Sequence, residues 1–441
     1  MNLIRSAVLG AVAVTQALLM PAQQAWASDA AVSTTVIHAG TLLAIPGEKP
    51  LKAQTLVIRD GVITATFNGY EDPARIAKDA KLIDLKDQFV LPGLMDMHVH
   101  LQGELGPKND SETLKMSNQL MQMRSYMFAM RTLNAGFTTV RDVGSSTQEM
   151  YAMRDAINSG WIDGPRIIAA AFVGITGGHA DISGIKPEFM EFLDEQNHTV
   201  CDGPYDCRRA TRHAIKYGAD LIKITSTGGV LTDRATGTGQ QMEADELHEV
   251  VLAAQRMGRK VTSHAHQEDG IVAALKAGVA SIEHGTYASD DAIELFKETG
   301  AYLVPTLLAG DTVVQMARNT DVLSEWQKAK ALRVGADMQG NFAKAYKAGV
   351  NIAFGTDSGV SKHGINAQEF LLMHKAGMPP MEAIKTATVN AAALIDMSDS
   401  LGTLEVGKQA DIIAVDGSPL DDLAELLDVD FVMKGGKVIK D

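Results

Sequence analysis

The chain is poor in cysteine, carries no surplus of positive charge, and lacks two short signatures that would each have fixed its chemistry. Its only cysteines, Cys201 and Cys207, lie six apart in Cys-Asp-Gly-Pro-Tyr-Asp-Cys. In an oxidising compartment that spacing reads as a disulfide closing a tight loop, which leaves neither thiol as a nucleophile. No Gly-x-Ser-x-Gly elbow occurs, so acyl transfer to serine is disfavoured. No Gly-x-Gly-x-x-Gly follows the first strand of the central region, which argues against an open dinucleotide-binding sheet. Lys and Arg number 40 against 54 Asp and Glu, for a net charge of −14. Such an acidic balance argues against nucleic acid or an anionic membrane as a partner.

Residues 1–27 read as a secretory signal peptide. Arg5 gives a positive start, Ala7 to Met20 is mostly apolar, and Ala25-Trp26-Ala27 is a small-x-small cleavage site. The segment is too short and too polar-flanked for a stable span, and no cysteine follows it to carry a lipid. Cleavage removes Arg5 and no acid, taking the net charge from −14 to −15. The expectation is an exported protein, periplasmic or secreted, with no membrane attachment after cleavage.

Two styles of patterning follow. Residues 32–90 alternate as short strands, with Thr35-Val-Ile-His-Ala and Gln54-Thr-Leu-Val-Ile-Arg, an Asp60-Gly61 turn and Val62-Ile-Thr-Ala-Thr. The far end repeats this at Ala410–Val415, Phe431–Lys434 and Gly436–Ile439. Neither cluster can bury a core alone, so residues 28–90 plus 400–441 are expected to form one composite β-sandwich domain. Between them, residues 91–399 alternate strand and helix, the pattern of parallel strands with crossover helices. Eight strand candidates occur at 89–99, 136–143, 166–173, 219–226, 260–266, 281–285, 301–306 and 350–357. The fold class is therefore α/β, a (β/α)8 TIM barrel, with segments 101–130 and 177–215 as insertions over its active face or as longer helices.

Polar residues gather at the carboxyl ends of those strands, where such barrels carry their sites. His98 and His100 stand at i and i+2, on the same side of a strand. Lys223, His264, His284 and Asp357 end the fourth, fifth, sixth and eighth candidates. Four imidazoles and a carboxylate suit a borderline divalent metal, zinc first. An ammonium is expensive in a cationic site. Forced neutral and carboxylated by CO2, Lys223 becomes an anionic bridge between two metals.

These residues resemble the amidohydrolase superfamily, in Pro92-Gly93-Leu94 through His98 and His100, the two later strand-end histidines, Gly355-Thr356-Asp357 and the tail Gly402–Asp416. The motif Leu221-Ile-Lys-Ile is similar to the prolidase and ochratoxinase branch, whereas imidazolonepropionases generally hold one metal and lack the bridging lysine. The resemblance implies two Zn2+ per chain, with His98, His100 and Asp357 on one ion, His264 and His284 on the other, and carboxylated Lys223 spanning both. It also implies hydrolysis of a small amide, either a dipeptide or an N-acyl amino acid, releasing the C-terminal residue, and it makes ochratoxin A a specific expected substrate. A homo-oligomer is expected by the same analogy. The alternatives are a cyclic-amide hydrolase of the imidazolonepropionase type and a metal-dependent binding protein without turnover.

Asp357, touching metal and water, is the expected general base, and His179 in Thr176-Gly-Gly-His is a candidate for hydrogen-bonding the substrate carbonyl. His266 and His363 are further candidate substrate contacts. Arg141 and Asp142 read equally as ion partners or substrate binders, and Ser226, Thr227, Gly228 and Gly229 as pocket floor. His38, His198, His213, His248 and His374 read as structural or surface, and the methionines of 116–130 as helix packing.

Overall fold

The computed structural model describes residues 33–181, 186–194, 198–232 and 237–441, and the expected signal peptide lies outside them. Both ends of the described chain meet in one seven-stranded sheet. Its order is Lys437–Lys440, Phe431–Lys434, Ile412–Val415, Lys81–Pro92, Thr34–Leu42, Leu51–Arg59, Val62–Asn68. The pivot is Lys81–Pro92, parallel to Thr34–Leu42 and antiparallel to Ile412–Val415, with Ile412 opposite Pro92. Inward side chains from both ends, among them Ile37, Leu56, Ile63, Val90, Ile412 and Phe431, share one core. Asp60 (φ 48°) and Gly61 (φ 80°) form the hairpin turn, two left-handed residues whose twist matches the flanking strands.

The central region is a parallel barrel. Its strands are Leu94–Val99, Phe137–Asp142, Arg166–Ile175, Leu221–Thr225, Val261–Ala265, Ser281–His284, Tyr302–Val304 and Asn351–Ile352, each paired with its neighbour in chain order. A helix fills every crossover, and one core cluster between helices and strands draws residues from Leu43 to Val432. The insertions fall as expected. Helices Asn109–Lys115 and Asn118–Asn134 follow the first strand; Pro187–Asp194 and Pro204–Lys216 follow the third. Cys201 and Cys207 are disulfide-bonded at the start of Pro204–Lys216. No described helix is long and apolar enough to cross a membrane.

Three details differ from the sequence expectation. The apolar run 89–99 is two strands. Phe89 to Pro92 pair with Ile412–Val415 in the sheet, and Leu94 opens the barrel. The chain passes at Gly93, whose N–H donates to Asp411 O (2.9 Å) and where a Cβ would lie 2.7 Å from Thr138 Cγ2. The eighth strand is regular only at Asn351–Ile352. Beyond it the Thr356 N–H is taken by the Asp96 carboxylate (3.2 Å) instead of a ladder partner. The barrel closes there through Met97 N to Phe354 O (2.8 Å), Asp357 N to His98 O (2.7 Å) and His100 N to Ser358 O (2.7 Å). Finally, of the methionines in 116–130, Met123 and Met127 are exposed rather than packed.

The close passage at residue 93 yields a stability test. Gly93→Ala forces its Cβ against Thr138 and is expected to lower the unfolding free energy by about 1–3 kcal/mol in denaturant melts. Adding Thr138→Ala, which removes Oγ1 and Cγ2, the two atoms nearest that Cβ, should recover much of that loss.

Candidate metal centre

All six side chains singled out as metal ligands line one cavity of about 540 Å³ at the carboxyl ends of the barrel strands. The ligating atoms of His98, His284 and Asp357 lie within 4.8 Å of one another, and so do those of His264, His266 and His284. His100 joins through Asp357, its Nε2 lying 3.1 Å from Asp357 Oδ1, the oxygen that His98 Nε2 approaches at 3.4 Å. Lys223 is buried on the fourth strand, opposite Thr262 on one side and Phe172 on the other. The two histidine sets thus share His284. His266 enters the second set, its ring stacked on His284 at 4.8 Å.

Backbone conformation aims these groups. A strand alternates its faces, so adjacent residues ordinarily point apart. His284 breaks that rule with φ 69°, which brings its ring inward beside Glu283. Thr306 (φ 51°) and Asp357 (φ 56°) do the same at the ends of the seventh and eighth strands. Left-handed backbone is costly away from glycine and persists where surrounding contacts over-determine it. Here the contact is visible: Thr306 Oγ1 lies 2.7 Å from His284 Nδ1, leaving Nε2 toward the cavity.

Sequence reasoning missed Glu283. It is fully buried, and its Oε2 accepts from His98 Nδ1 at 2.7 Å, fixing the tautomer that leaves His98 Nε2 unprotonated. Arg141 answers its charge. Nη2 donates to Glu283 Oε1 (2.7 Å), Nη1 to Ser281 Oγ (3.0 Å) and Nε to Met97 O (2.6 Å). Arg141 is therefore placed as an ion partner. Asp142 accepts from the N–H groups of Leu101 and Ser145, shaping the loops after the first two strands.

The electrostatics suit cation binding. Burial, then the charge of Lys223, holds the His98 imidazolium down at about 4. Burial and the neighbouring imidazoles push His264 and His284 well below the usual range. All three are neutral near pH 7, the ligating form. Burial brings the Lys223 ammonium down to about 8, against the pull of Glu283 and Asp357, so a fraction is free amine near neutral pH. Burial would raise Asp357, but His98 and His100 outweigh it and keep it a carboxylate.

His179 lines the same cavity. Its Nδ1 lies 2.5 Å from Thr232 Oγ1, its N–H donates to Gln241 Oε1 (2.8 Å), and its ring is 4.5 Å from that of His264. The ring sits where Gly229 has no side chain, since a Cβ there would overlap it. His266 also faces the cavity, with Nδ1 2.9 Å from Thr286 Oγ1. His363 does not line it. Its Nε2 donates to Gly103 O (3.0 Å) and its ring stacks on Phe128, bracing the loop after the first strand from behind. Ser226, Thr227, Gly228 and Gly229 pack behind the fourth strand end, with Gly228 O 3.4 Å from His264 Nε2.

A barrel with imidazoles and a carboxylate converging at its strand ends, attached to a β unit built from both chain ends, defines the metal-dependent barrel hydrolases. The chain belongs to the amidohydrolase family, which it matches over residues 89–439. It is 33% identical to ochratoxinase of Aspergillus niger over 437 residues, covering 94% of this chain and 88% of that protein. The crystal structure of A. niger ochratoxinase superimposes with a TM-score of 0.80 at 30% identity, covering 93% of this chain and 96% of that one. A Xaa-Pro dipeptidase crystallised with methionine in its active site superimposes with a TM-score of 0.87 at 41% identity, covering 93% and 100%.

The Glu283 carboxylate carries a pH signature. Burial opposes its charge, but Arg141 and His98 hold it well below the usual carboxylate range. Its contribution is complete above the unfolded carboxyl pKa of about 4.3 and is lost as pH falls toward the depressed folded value. Glu283→Gln breaks a buried pair, so a loss of about 3–5 kcal/mol is expected at pH 7. Melts from pH 7 to 3 should show the gap between wild type and variant narrowing below about pH 4.3.

Proposed function

We propose that the protein is an exported, binuclear zinc amidohydrolase that cuts the amide of dipeptides or N-acyl amino acids and releases the C-terminal amino acid, ochratoxin A among its substrates. The observation that carries the reading is the buried convergence of His98, His284 and Asp357 within 4.8 Å beside buried Lys223. The neutral imidazoles of His98 and His284, with Nδ1 engaged by Glu283 and Thr306, a carboxylate and a lysine of depressed basicity fit a divalent pair chemically. His98, His100, Asp357, His264, His284 and carboxylated Lys223 would hold it. Such a pair supplies Lewis acidity toward a carbonyl and acidifies a water.

The chain's own groups do the rest. Asp357 Oδ1, 3.1 Å from His100 Nε2 and 3.4 Å from His98 Nε2, takes the attacking water's proton and returns it to the leaving nitrogen. His179, held by Thr232 and Gln241, donates from its ring to the scissile carbonyl oxygen as charge builds there. Leu105, Phe172, Val230, Val313, Val334 and Met338 line the cavity with apolar surface that excludes water and suits an apolar acyl or side chain. Export is supported by the apolar start of the sequence and by the Cys201–Cys207 disulfide.

The test is metal analysis joined to a substrate panel. Protein loaded with Zn2+ and bicarbonate should retain about two ions per chain and release free amino acid from Ala-Pro, Ala-Lys, Ala-Phe or ochratoxin A, and chelation should abolish the release. Asp357→Asn should lower kcat by about 10²–10⁴-fold. Turnover of an imidazolone alone would favour the cyclic-amide alternative, and ligand binding without turnover would favour a binding protein.

A further inference from the structure

A donor to developing charge works only if it is aimed beforehand, and a donor carried on a loop needs other groups to aim it. His179 stands in the loop after the third strand and is held by the loop after the fourth. Thr232 Oγ1 meets its Nδ1 at 2.5 Å, and the Gly229 backbone lies against its ring, where a Cβ would fall 2.1 Å from Cε1. The same loop gives Val230 and Leu231 to the cavity wall. It is tied down by the crossover that follows the seventh strand. There the helix Glu325–Lys347 lines the cavity with Val334, Gly335 and Met338. One turn earlier on that helix, Lys330 is buried, and its Nζ donates to Thr232 O (2.6 Å) and Gly229 O (3.1 Å). Gln327 adds a bond from Nε2 to Leu231 O at 2.7 Å. The two loop residues that touch His179 are thus the two whose carbonyls Lys330 holds.

An ammonium is costly to bury, and it is a compact source of three donors. Its bonds to carbonyls are charge-assisted and stronger than those a neutral side chain would make. We propose that Lys330 is a positioning residue for the reaction. By holding the Gly229 and Thr232 carbonyls against the helix Glu325–Lys347, it fixes the His179 ring with Nδ1 accepting from the Thr232 hydroxyl and Nε2–H turned to the scissile carbonyl. Lys330 acts through the loop and not on the substrate. The inference rests on the amide-hydrolase reading, in which His179 donates to the carbonyl, and deepens it by naming what aims that donor.

The experiment compares zinc-loaded wild type, Lys330→Met, Lys330→Gln, His179→Asn and the double variant Lys330→Met with His179→Asn on Ala-Pro and Ala-Phe. Lys330→Met should lower kcat about 10- to 100-fold with KM nearly kept, the mark of an interaction made in the transition state alone. Its zinc content should equal that of wild type. Lys330→Gln, which keeps a donor without the charge, should show a smaller loss in the same direction, and it is the variant to read if Lys330→Met does not fold. In the His179→Asn background Lys330→Met should cost less than about 2-fold, because the two residues act on one path. An unchanged kcat, a loss of zinc, or an equal loss in the His179→Asn background overturns the proposal. Nitrogen NMR of the zinc-loaded protein carrying 15N-histidine gives an arm independent of turnover. The His179 signals, those missing from His179→Asn, should show one protonated and one bare nitrogen in wild type and move toward an average of the two tautomers in Lys330→Met. Signals identical in both proteins overturn the role. If wild type cuts no dipeptide, the hydrolase reading falls while the spectrum still decides whether Lys330 fixes the ring.

Discussion

The architecture depends on one buried ion pair, Arg141 with Glu283, at the level where the barrel interior changes from apolar packing to ligand chemistry. The pair joins the second strand to the sixth, reaches the first through Met97 O and His98, and meets Thr262 of the fifth through its hydroxyl. Two full charges out of water are tolerable only when nearly every donor and acceptor is met. Here Glu283 receives from Arg141, Ser281, Thr262 and His98, while Arg141 spends Nε and both terminal nitrogens. The result is a polar floor under the ligands. It holds His98 at one rotation and one tautomer, and it places a compensated negative charge beneath the candidate metal cluster.

A second constraint follows from how the barrel closes. The eighth strand is regular for only two residues, and the seam with the first strand is closed by three backbone bonds beyond it. Asp96 adds to them. Its carboxylate accepts from His98 N, Thr356 N, Thr356 Oγ1 and Asn366 Nδ2, binding the segment that carries His98 to the segment that carries Asp357. The two segments that carry the candidate ligands are thus fixed to each other by the Asp96 side chain together with the backbone bonds from Met97 N, Asp357 N and His100 N. This frees Asp357 to adopt the left-handed backbone that its aim requires.

The sequence made the barrel legible because each strand is a short apolar run whose last residues turn polar, and helical periodicity fills the gaps. It made the candidate ligand set legible because His98, His100, Lys223, His264 and Asp357 each end such a run. The same signal hid the break at Gly93, since one apolar stretch serves two cores: Val90 packs in the β unit, and Leu91 and Leu94 pack with the barrel. Glu283 was hidden for a sharper reason. Period-two alternation places the neighbour of an inward His284 outward, and only the φ of 69° cancels that inference. No residue type announces a left-handed histidine. The inward turn of His266 was readable by the same alternation from His264, whereas the placement of His363 depended on a loop path that periodicity does not encode.

The end of the seventh strand shows how the site draws on its surroundings. A threonine before a helix ordinarily caps it with its hydroxyl. Thr306 precedes the helix Leu307–Asn319, yet its Oγ1 is engaged with His284 and makes no cap. The first N–H groups of that helix are nonetheless satisfied, because Glu369, fully buried on the helix Gln368–Lys375, accepts from Leu307 N at 2.8 Å and Leu308 N at 2.6 Å. Burial pushes that carboxyl up to about 8. A hydroxyl that local structure would have used has been given to the orientation of His284, and a residue sixty positions along the chain supplies the replacement. The geometry of the site therefore cannot be separated from the packing of the helices behind it, since Glu369 secures the turn whose Thr306 hydroxyl holds His284.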